Sequence, residues 1–184
     1  MKARVPALML VAALLAVACG EGRAIFNVDV LSFIQPSGRD TVRYNVPAPV
    51  ATTADSFIPP QRVILPPGFG KSSVDSVQLT AAAVIENTTG TGSILFEVFF
   101  AKTAASVYSA TPYISASGTI TGPQPSTVQL LPPTAVSLSD SVFNTDTVWV
   151  GVHARISTNA GPNVAGRVRL TTLLLRVVLQ DKFF

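Results

Sequence analysis

The residues best suited to hold a ligand are one indole ring and a set of cations in the last third of the chain. In a β-strand, alternate side chains point to the same face, so these residues are predicted on the face opposite the apolar series Val148, Val150 and Val152. An aromatic ring beside guanidinium groups can stack on sugars and hold anionic groups by paired hydrogen bonds. One hypothesis is therefore a ligand-binding face, with glycans as candidate ligands, and the alternative is an ordinary strand surface. The residues are Trp149, His153, Arg155, Arg167 and Arg169.

Residues for catalysis or metal binding are scattered. His153 is the only histidine of the chain, and no Gly-x-Ser-x-Gly nucleophile motif is present. Glu86 and Glu97 flank one predicted turn and could face each other as a glycosidase-like pair, although two solvated carboxylates explain them as well. The remaining carboxylates are spread singly, without the clustering of a metal site. We therefore predict no catalytic residues, no metal, no cofactor and no enzyme activity, and keep an unrecognised hydrolase around His153 as an alternative.

The charge balance argues against nucleic acid as a partner. Hydrophobic residues make up 48% of the chain and charged residues 12%, against about 25% charged in an average domain. Of the formal net charge of +3, Lys2 and Arg4 belong to a segment that we expect to be removed, which leaves 11 basic and 10 acidic residues, or +1. No Lys/Arg cluster stands out along the sequence.

The amino-terminal segment has the layout of an export signal. A short basic stretch, residues 1–4, precedes an apolar run from Val5 to Val17, and small residues close the run before Cys19. The uncharged stretch from Val5 to Gly20 has 16 residues, short of the roughly 20 that a spanning helix needs. A retained membrane helix is therefore the less favoured alternative.

The sequence Ala16-Val17-Ala18-Cys19 resembles the lipobox that ends a bacterial lipoprotein signal, and the resemblance covers residues 1 to about 20. Ala18 and Cys19 match the pattern, whereas Ala16 stands where Leu is commoner. The resemblance implies cleavage before Cys19, acyl chains such as palmitate on that cysteine, a removed signal over residues 1–18 and a lipidated tether over 19–23. Gly20, in place of an Asp, implies the outer membrane if the organism has two. In that bacterial setting the sequon-like Asn87-Thr88-Thr89 is assigned no role.

Cysteine usage agrees with this interpretation. Cys19 is the only cysteine, so the exported chain cannot form an internal disulfide. Each buried methylene of an acyl chain adds about 0.8 kcal/mol of membrane affinity. We therefore expect a stable lipid anchor in the bacterial cell envelope.

Alternating apolar and polar residues dominate after the signal, and thirteen prolines interrupt them. The pattern predicts an all-β fold, a single antiparallel β-sandwich (Ig-like or jelly-roll-like) of about 8–10 strands over residues 24–184. Residues 47–60 are predicted to be a loop. The predicted strands are 25–34, 41–46, 62–65, 74–86, 94–101, 113–120, 127–131, 135–138, 147–157 and 166–180.

Three hairpins are predicted, each from two strands that are consecutive in sequence. They join 25–34 with 41–46, 74–86 with 94–101, and 147–157 with 166–180. In the last hairpin, paired residue numbers summing to about 322 would set Arg155 opposite Arg167 and His153 opposite Arg169. The stripe Val168, Leu170, Thr172 and Leu174 is predicted to match the apolar face of the preceding strand. The same strand also carries Leu173, Leu175, Val177 and Leu179 on its other face. It is therefore either covered on both faces or exposes an apolar patch to a partner.

Together these features favour a membrane-anchored bacterial lipoprotein with a non-enzymatic structural or assembly role. The expected partners are the membrane, through the lipid anchor, and an envelope protein or a glycan.

Overall fold

A computed structural model describes residues 22–47, 50–66, 73–122, 128–138 and 141–181. The predicted signal, Cys19 and most of the predicted tether lie outside this part of the chain. The described elements are ten strands, one short α-helix and three 3₁₀ helices. The strands are β1 Gly22–Asp29, β2 Thr41–Val46, β3 Thr53–Phe57, β4 Gln61–Ile64, β5 Ser73–Thr89, β6 Thr91–Ala101, β7 Ile114–Thr121, β8 Val128–Leu138, β9 Thr147–Thr158 and β10 Val164–Asp181. The helix α1 spans Leu31–Ile34, and the 3₁₀ helices span Gln35–Ser37, Ala104–Ser109 and Ser141–Phe143.

The strands form two antiparallel sheets of five strands each. In the first sheet the order is β1-β10-β5-β8, and β2 also pairs with β10. In the second sheet the order is β3-β9-β6-β7, and β4 also pairs with β9. In both sheets two short strands lie end to end along one edge of a long strand: β2 and β1 on β10, β4 and β3 on β9.

The sheets enclose one hydrophobic core, which confirms the predicted β-sandwich. Alternate residues of β9, from Val148 to Ile156, are all buried in it. Alternate residues of β5 and β6 meet them, and Phe96 and Phe100 are among the largest fully buried side chains. Burying a side chain of this kind contributes about 1.5–3 kcal/mol, so the alternation in the sequence reports the inward face of each sheet correctly.

The predicted hairpins are wrong, because strands that adjoin in sequence lie in different sheets or pair with a third strand. β5 lies in the first sheet and β6 in the second, and the same holds for β10 and β9. β1 and β2 both pair with β10. Two strands that are consecutive in sequence can bury their apolar faces equally well as neighbours in one sheet or as members of opposite sheets that face each other across the core. Alternation of apolar and polar residues therefore does not predict which of these two arrangements is adopted.

The register predicted for the last hairpin, between strands 147–157 and 166–180, is wrong for the same reason. Arg155 pairs with Leu95 and Asp55, and not with Arg167. His153 pairs with Glu97 and Phe57. On the first sheet, Arg167 pairs with Arg43 and Glu86, and Arg169 pairs with Thr41 and Val84.

Three boundaries also differ from prediction. The first strand ends at Asp29 and is followed by α1. The predicted loop over 47–60 contains β3, whose alternation is of small and polar residues. The two strands predicted over 127–138 are one edge strand, β8, and its register against β5 shifts between Leu131 and Thr134, where Pro132 and Pro133 stand.

A β-bulge in β10 explains why that strand is apolar on both faces. Leu170 pairs with Ala83 and Thr172 with Ala82, so Thr171 is an extra residue and the alternation inverts there. Beyond the bulge, the side chains that face the core with Val168 and Leu170 are Leu173, Leu175, Val177 and Leu179. The predicted stripe through Thr172 and Leu174 is therefore wrong, and Leu174 is 45% exposed.

Candidate functional site

The five residues predicted to share one face are divided between the two sheets. Trp149, His153 and Arg155 belong to β9 in the second sheet, and Arg167 and Arg169 belong to β10 in the first. The inward neighbours of both groups, such as Val152 and Val168, lie in the common core. The two groups therefore point away from each other, on the outer faces of opposite sheets.

On the second sheet, strand pairing assembles four ionisable side chains that we call the histidine cluster: Glu97, His153, Asp55 and Arg155. β9 supplies His153 and Arg155, while β6 on one side brings Glu97 and β3 on the other brings Asp55. The His153 Nδ1 lies 2.8 Å from Glu97 Oε2, and its Nε2 lies 2.8 Å from Asp55 Oδ1. The imidazole is 5% exposed although it belongs to an outer face.

The polar groups of the histidine cluster are hydrogen-bonded to one another. Each ring nitrogen of His153 lies within hydrogen-bond distance of one carboxylate. The Arg155 Nε donates to Asp55 Oδ1 at 2.7 Å. That hydrogen bond, helped by the one from His153 and opposed by desolvation, lowers the pKa of Asp55 below its ordinary value. Arg155 and Asp55 thus form a charge-assisted ion pair beside the imidazole.

Aromatic rings cover the imidazole. Phe57 stacks on it with a centroid distance of 4.3 Å and an interplanar angle of 14°, while staying 53% exposed itself. Tyr108 meets the edge of Phe57 at 4.9 Å. The single proton of the Tyr108 hydroxyl is shared between the carbonyl oxygens of Ile58 and Val152, and burial raises the Tyr108 pKa to about 12.

The covering segment is the 3₁₀ helix Ala104–Ser109, and it requires a glycine beneath it. A Cβ on Gly151 would lie 2.3 Å from Val107 Cγ1 and 2.8 Å from the Tyr108 ring. The segment and the outer face share a second small hydrophobic cluster that includes Phe99 and Val107. Trp149 packs against this cluster and is half-buried, so its ring is in part a structural contact.

The chemistry open to the histidine cluster is limited by its hydrogen bonds. A histidine that acts as a general base needs a free ring nitrogen near the substrate, and in His153 both nitrogens face carboxylates. Within the described part of the chain, no group of three or more His, Cys, Asp or Glu residues is arranged to hold a metal ion. The arrangement suits a fixed, hydrogen-bonded tie between β3, β9 and β6.

The predicted Glu86–Glu97 pair does not form, because the two residues lie in different sheets. Glu86 instead accepts hydrogen bonds from Arg167, from Nε at 2.9 Å and Nη2 at 2.6 Å. Asp55 was missed at the sequence level, because it lies in a proline-flanked segment interpreted as a loop. The one available signal was the short alternation of residues 53–57.

Asn87, the first residue of the sequon-like triplet, has a structural position. It is 1% exposed, and its amide donates to the carbonyl oxygens of Gly90 at 3.0 Å and Gly122 at 2.8 Å. Its side-chain oxygen accepts from the Tyr44 hydroxyl at 3.1 Å. These bonds tie the β5–β6 connection to the end of β7 and to β2.

No helix among the described residues is both long and apolar enough to cross a bilayer.

Comparisons with known proteins give a fold likeness alone. No protein-family model matches the chain, and no curated protein matches it. Similar solved structures include infectious bursal disease virus, Gx strain, with a TM-score of 0.42 and 9% identity, covering 89% of this chain and 33% of that chain. Another is TmCBM61 in complex with β-1,4-galactotriose, with a TM-score of 0.28 and 10% identity, covering 85% and 88%. The chain thus spans about a third of the viral chain, and neither likeness carries a functional argument.

Proposed function

We propose that the protein is a membrane-anchored bacterial lipoprotein whose β-sandwich has a non-enzymatic structural or assembly role in the cell envelope. The observation that carries the proposal is the join between the export segment and the fold. The lipobox-like sequence ends at Cys19, and β1 begins at Gly22. Three residues span at most about 10 Å, so a lipid on Cys19 would hold the domain directly at the bilayer.

The strand pairing indicates which end of the sandwich would be near the membrane. Gly22 pairs with Asp181, and Ser73 pairs with the neighbouring Gln180, so these four residues share one end of the first sheet. β10 has 18 residues, which corresponds to roughly 55 Å at about 3.3 Å per residue. A sandwich tethered at that end would carry its opposite end, around Val46, Thr89 and Val164, outward to envelope partners.

A structural role is supported by how the ionisable groups of the second sheet are used. The one histidine of the chain is buried, stacked under Phe57 and hydrogen-bonded at both nitrogens. Such a group joins strands at little cost, because each buried polar atom has a partner. The same observation disfavours the hydrolase alternative.

The intact mass of the protein purified from its native membrane tests the anchor. We expect the mass of a chain that begins at Cys19 plus acyl chains, and no lipidated species for Cys19→Ala. Gly20→Asp is the matched control, because it should keep the lipid and yet move the protein to the inner membrane of a two-membrane organism. A wild-type mass without lipid would contradict the anchor and the envelope role with it.

The assembly role needs a second measurement. Crosslinking in intact cells, with the crosslinker placed at Asn45 near the outer end, should recover a defined envelope protein. A crosslinker at Asn27, nearer the tethered end, is the control. A lipidated protein that recovers no partner from either position would contradict the assembly role while leaving the anchor standing.

A further inference from the structure

The outer face of the first sheet brings together arginines from two strands. Arg43 of β2 pairs directly with Arg167 of β10, and Arg169 follows on the same face. Paired side chains have Cβ atoms about 5 Å apart, and diagonal neighbours lie about 7–8 Å apart. Like charges directly opposite each other destabilise a sheet, so this arrangement calls for an anion between them.

The protein supplies only part of that negative charge. Glu86 of β5 pairs with Arg167 on the side opposite Arg43. Its carboxylate accepts the hydrogen bonds from Arg167 Nε and Nη2. Arg43 and Arg169 form no ion pair with any acidic side chain of the described residues. Three guanidinium groups against one carboxylate leave a local charge of +2.

The arrangement is concave and polar. A cavity of about 270 Å³ opens between the strands and is lined by Arg43, Glu86, Thr88, Gly166 and Arg167. The Thr88 hydroxyl donates to the Ala165 carbonyl oxygen at 2.7 Å, which fixes one wall. The cavity lies where the β10 register shifts between Ala165 and Gly166, a kind of irregularity that often re-aims side chains at binding sites.

We propose that this cavity, which we call the arginine cavity, binds a phosphomonoester group. A phosphomonoester carries nearly two negative charges at pH 7. The cavity lining supplies one net positive charge, because Glu86 neutralises Arg167 and leaves Arg43, and Arg169 at the next outward position of β10 supplies the second. Its oxygens fit the planar donor fork of arginine in paired hydrogen bonds. The group could belong to a soluble phosphorylated molecule or to a phosphatidic acid headgroup. The proposal goes beyond the envelope role and does not depend on the lipid anchor.

Calorimetric titration of the purified lipid-bearing protein in detergent with inorganic phosphate tests the site. We expect Arg43→Gln to weaken phosphate binding roughly tenfold, because a charge-assisted bidentate contact is lost. Arg43 has no ion-pair partner among the described residues, so the variant should keep its fold, which circular dichroism can verify. Arg176→Gln is the matched control, since Arg176 lies on the same face opposite Asn27 and Gln78, and its affinity should stay within about twofold of wild type.

The pH dependence separates a phosphate site from general attraction. Inorganic phosphate binding should weaken as the pH falls from 7.5 to 5.5, because the phosphate dianion is converted to the monoanion over that range. Binding of inorganic sulfate should not change over that range. Absence of phosphate binding by the wild type, or an equal loss in Arg43→Gln and Arg176→Gln, would overturn the proposal.

Vesicle flotation then identifies the source of the group. Phosphatidylcholine vesicles with and without phosphatidic acid are mixed with the Cys19→Ala protein, so that no acyl chain contributes. Flotation that needs both phosphatidic acid and Arg43 would support the site with a lipid headgroup as its ligand. Phosphate binding without flotation would support it with a soluble phosphorylated molecule.

Discussion

At the scale of single residues, the second sheet depends on one histidine that joins three strands. His153 lies on β9, and the carboxylates that accept its hydrogen bonds come from β6 and β3. Asp55 has the larger share of the contacts, because it also accepts from Arg155. β3 is an edge strand of five residues, so this carboxylate is a main polar tie between β3 and the rest of the sheet.

Asp55→Asn should lower the free energy of unfolding by about 0.5–1 kcal/mol at pH 7, a value kept small by the partial exposure of Asp55. Its pKa is lower in the folded than in the unfolded chain. The contribution is therefore present above the unfolded pKa, near 4, and is lost as the pH falls through the folded pKa. Urea unfolding of both proteins at pH 7 and near pH 2.5 measures this.

The control for that experiment is Asp75→Asn, whose ion pair with Arg23 is long, at 3.8 Å, and exposed. Its effect at pH 7 should be close to zero. A difference between wild type and Asp55→Asn that is equal at both pH values would contradict a role for the ionised carboxylate.

Asn87→Ala should be more damaging, at roughly 2–3 kcal/mol, because it leaves buried carbonyl oxygens and the Tyr44 hydroxyl without their partner. Chemical denaturation measures the loss. Asn45→Ala, at an exposed position of β2, is the control and should change stability by less than about 0.5 kcal/mol. Similar losses in the two variants would show that the buried amide is not a structural centre.

The sequence predicted part of this residue-scale picture. His153 and Glu97 drew attention by their types, but their contact depends on which strands are neighbours, and 56 residues separate them in the chain. Asp55 carried no such signal. The sequence likewise gave no reason to single out Arg43, because its role depends on the pairing of β2 with β10, which places Arg167 opposite it.

At the scale of elements, the bulge at Thr171 decides which leucines of β10 are inside. It inverts the alternation, so Leu175 is fully buried and its neighbour Leu174 is 45% exposed. Strict alternation from Val168 assigns these two residues the other way round. Periodicity predicted the strand and showed a second apolar series from Leu173, but strict alternation places that series on the opposite face because it makes no allowance for an inserted residue.

Substitution with lysine at these adjacent positions tests the bulge. Leu175→Lys should prevent folding or cost more than about 4 kcal/mol, since it buries an unpaired charge. Leu174→Lys should change stability by about 0.5 kcal/mol or less. Circular dichroism during thermal unfolding distinguishes the two, and a reversed order would show that β10 lacks the bulge.

The 3₁₀ helix Ala104–Ser109 shows how an element can cover an outer face. Gly151→Ala should cost about 1–3 kcal/mol, because the added methyl overlaps Val107 and Tyr108. Val107→Ala should be less harmful when combined with Gly151→Ala than alone, since the smaller side chain makes room. A double-mutant cycle on unfolding free energies measures this coupling, and strictly additive effects would contradict the predicted overlap.

At the scale of the whole molecule, composition and alternation predicted the β-sandwich and its approximate number of strands, but not the partners of those strands. Each amphipathic strand must bury one face, and that requirement fixes the inward residues. That requirement does not determine whether the connections at Gly90 and at residues 159–163 are hairpin turns within one sheet or links from one sheet to the other. In the structure both connections link the two sheets. The predicted five-residue ligand-binding face is therefore divided between the sheets.

Refolding from urea, followed by Trp149 fluorescence, should be slow for a chain of this size, in the range of milliseconds to seconds. Most strand pairs join distant residues, and non-local pairing lowers folding rates. A dominant microsecond phase would contradict a folding process limited by these long-range pairs.

The pairing of β1 with β10 also has a consequence for the order of synthesis. β10 hydrogen-bonds β1, β2 and β5, so the first sheet cannot close until almost the whole described chain has been made. Until then β1 and β2 lack the strand with which they pair, and the sandwich core stays incomplete. If the chain is exported as proposed, passage through a narrow translocation channel requires that it has not yet folded. The late synthesis of β10 would then delay completion of the fold until the far side of the membrane.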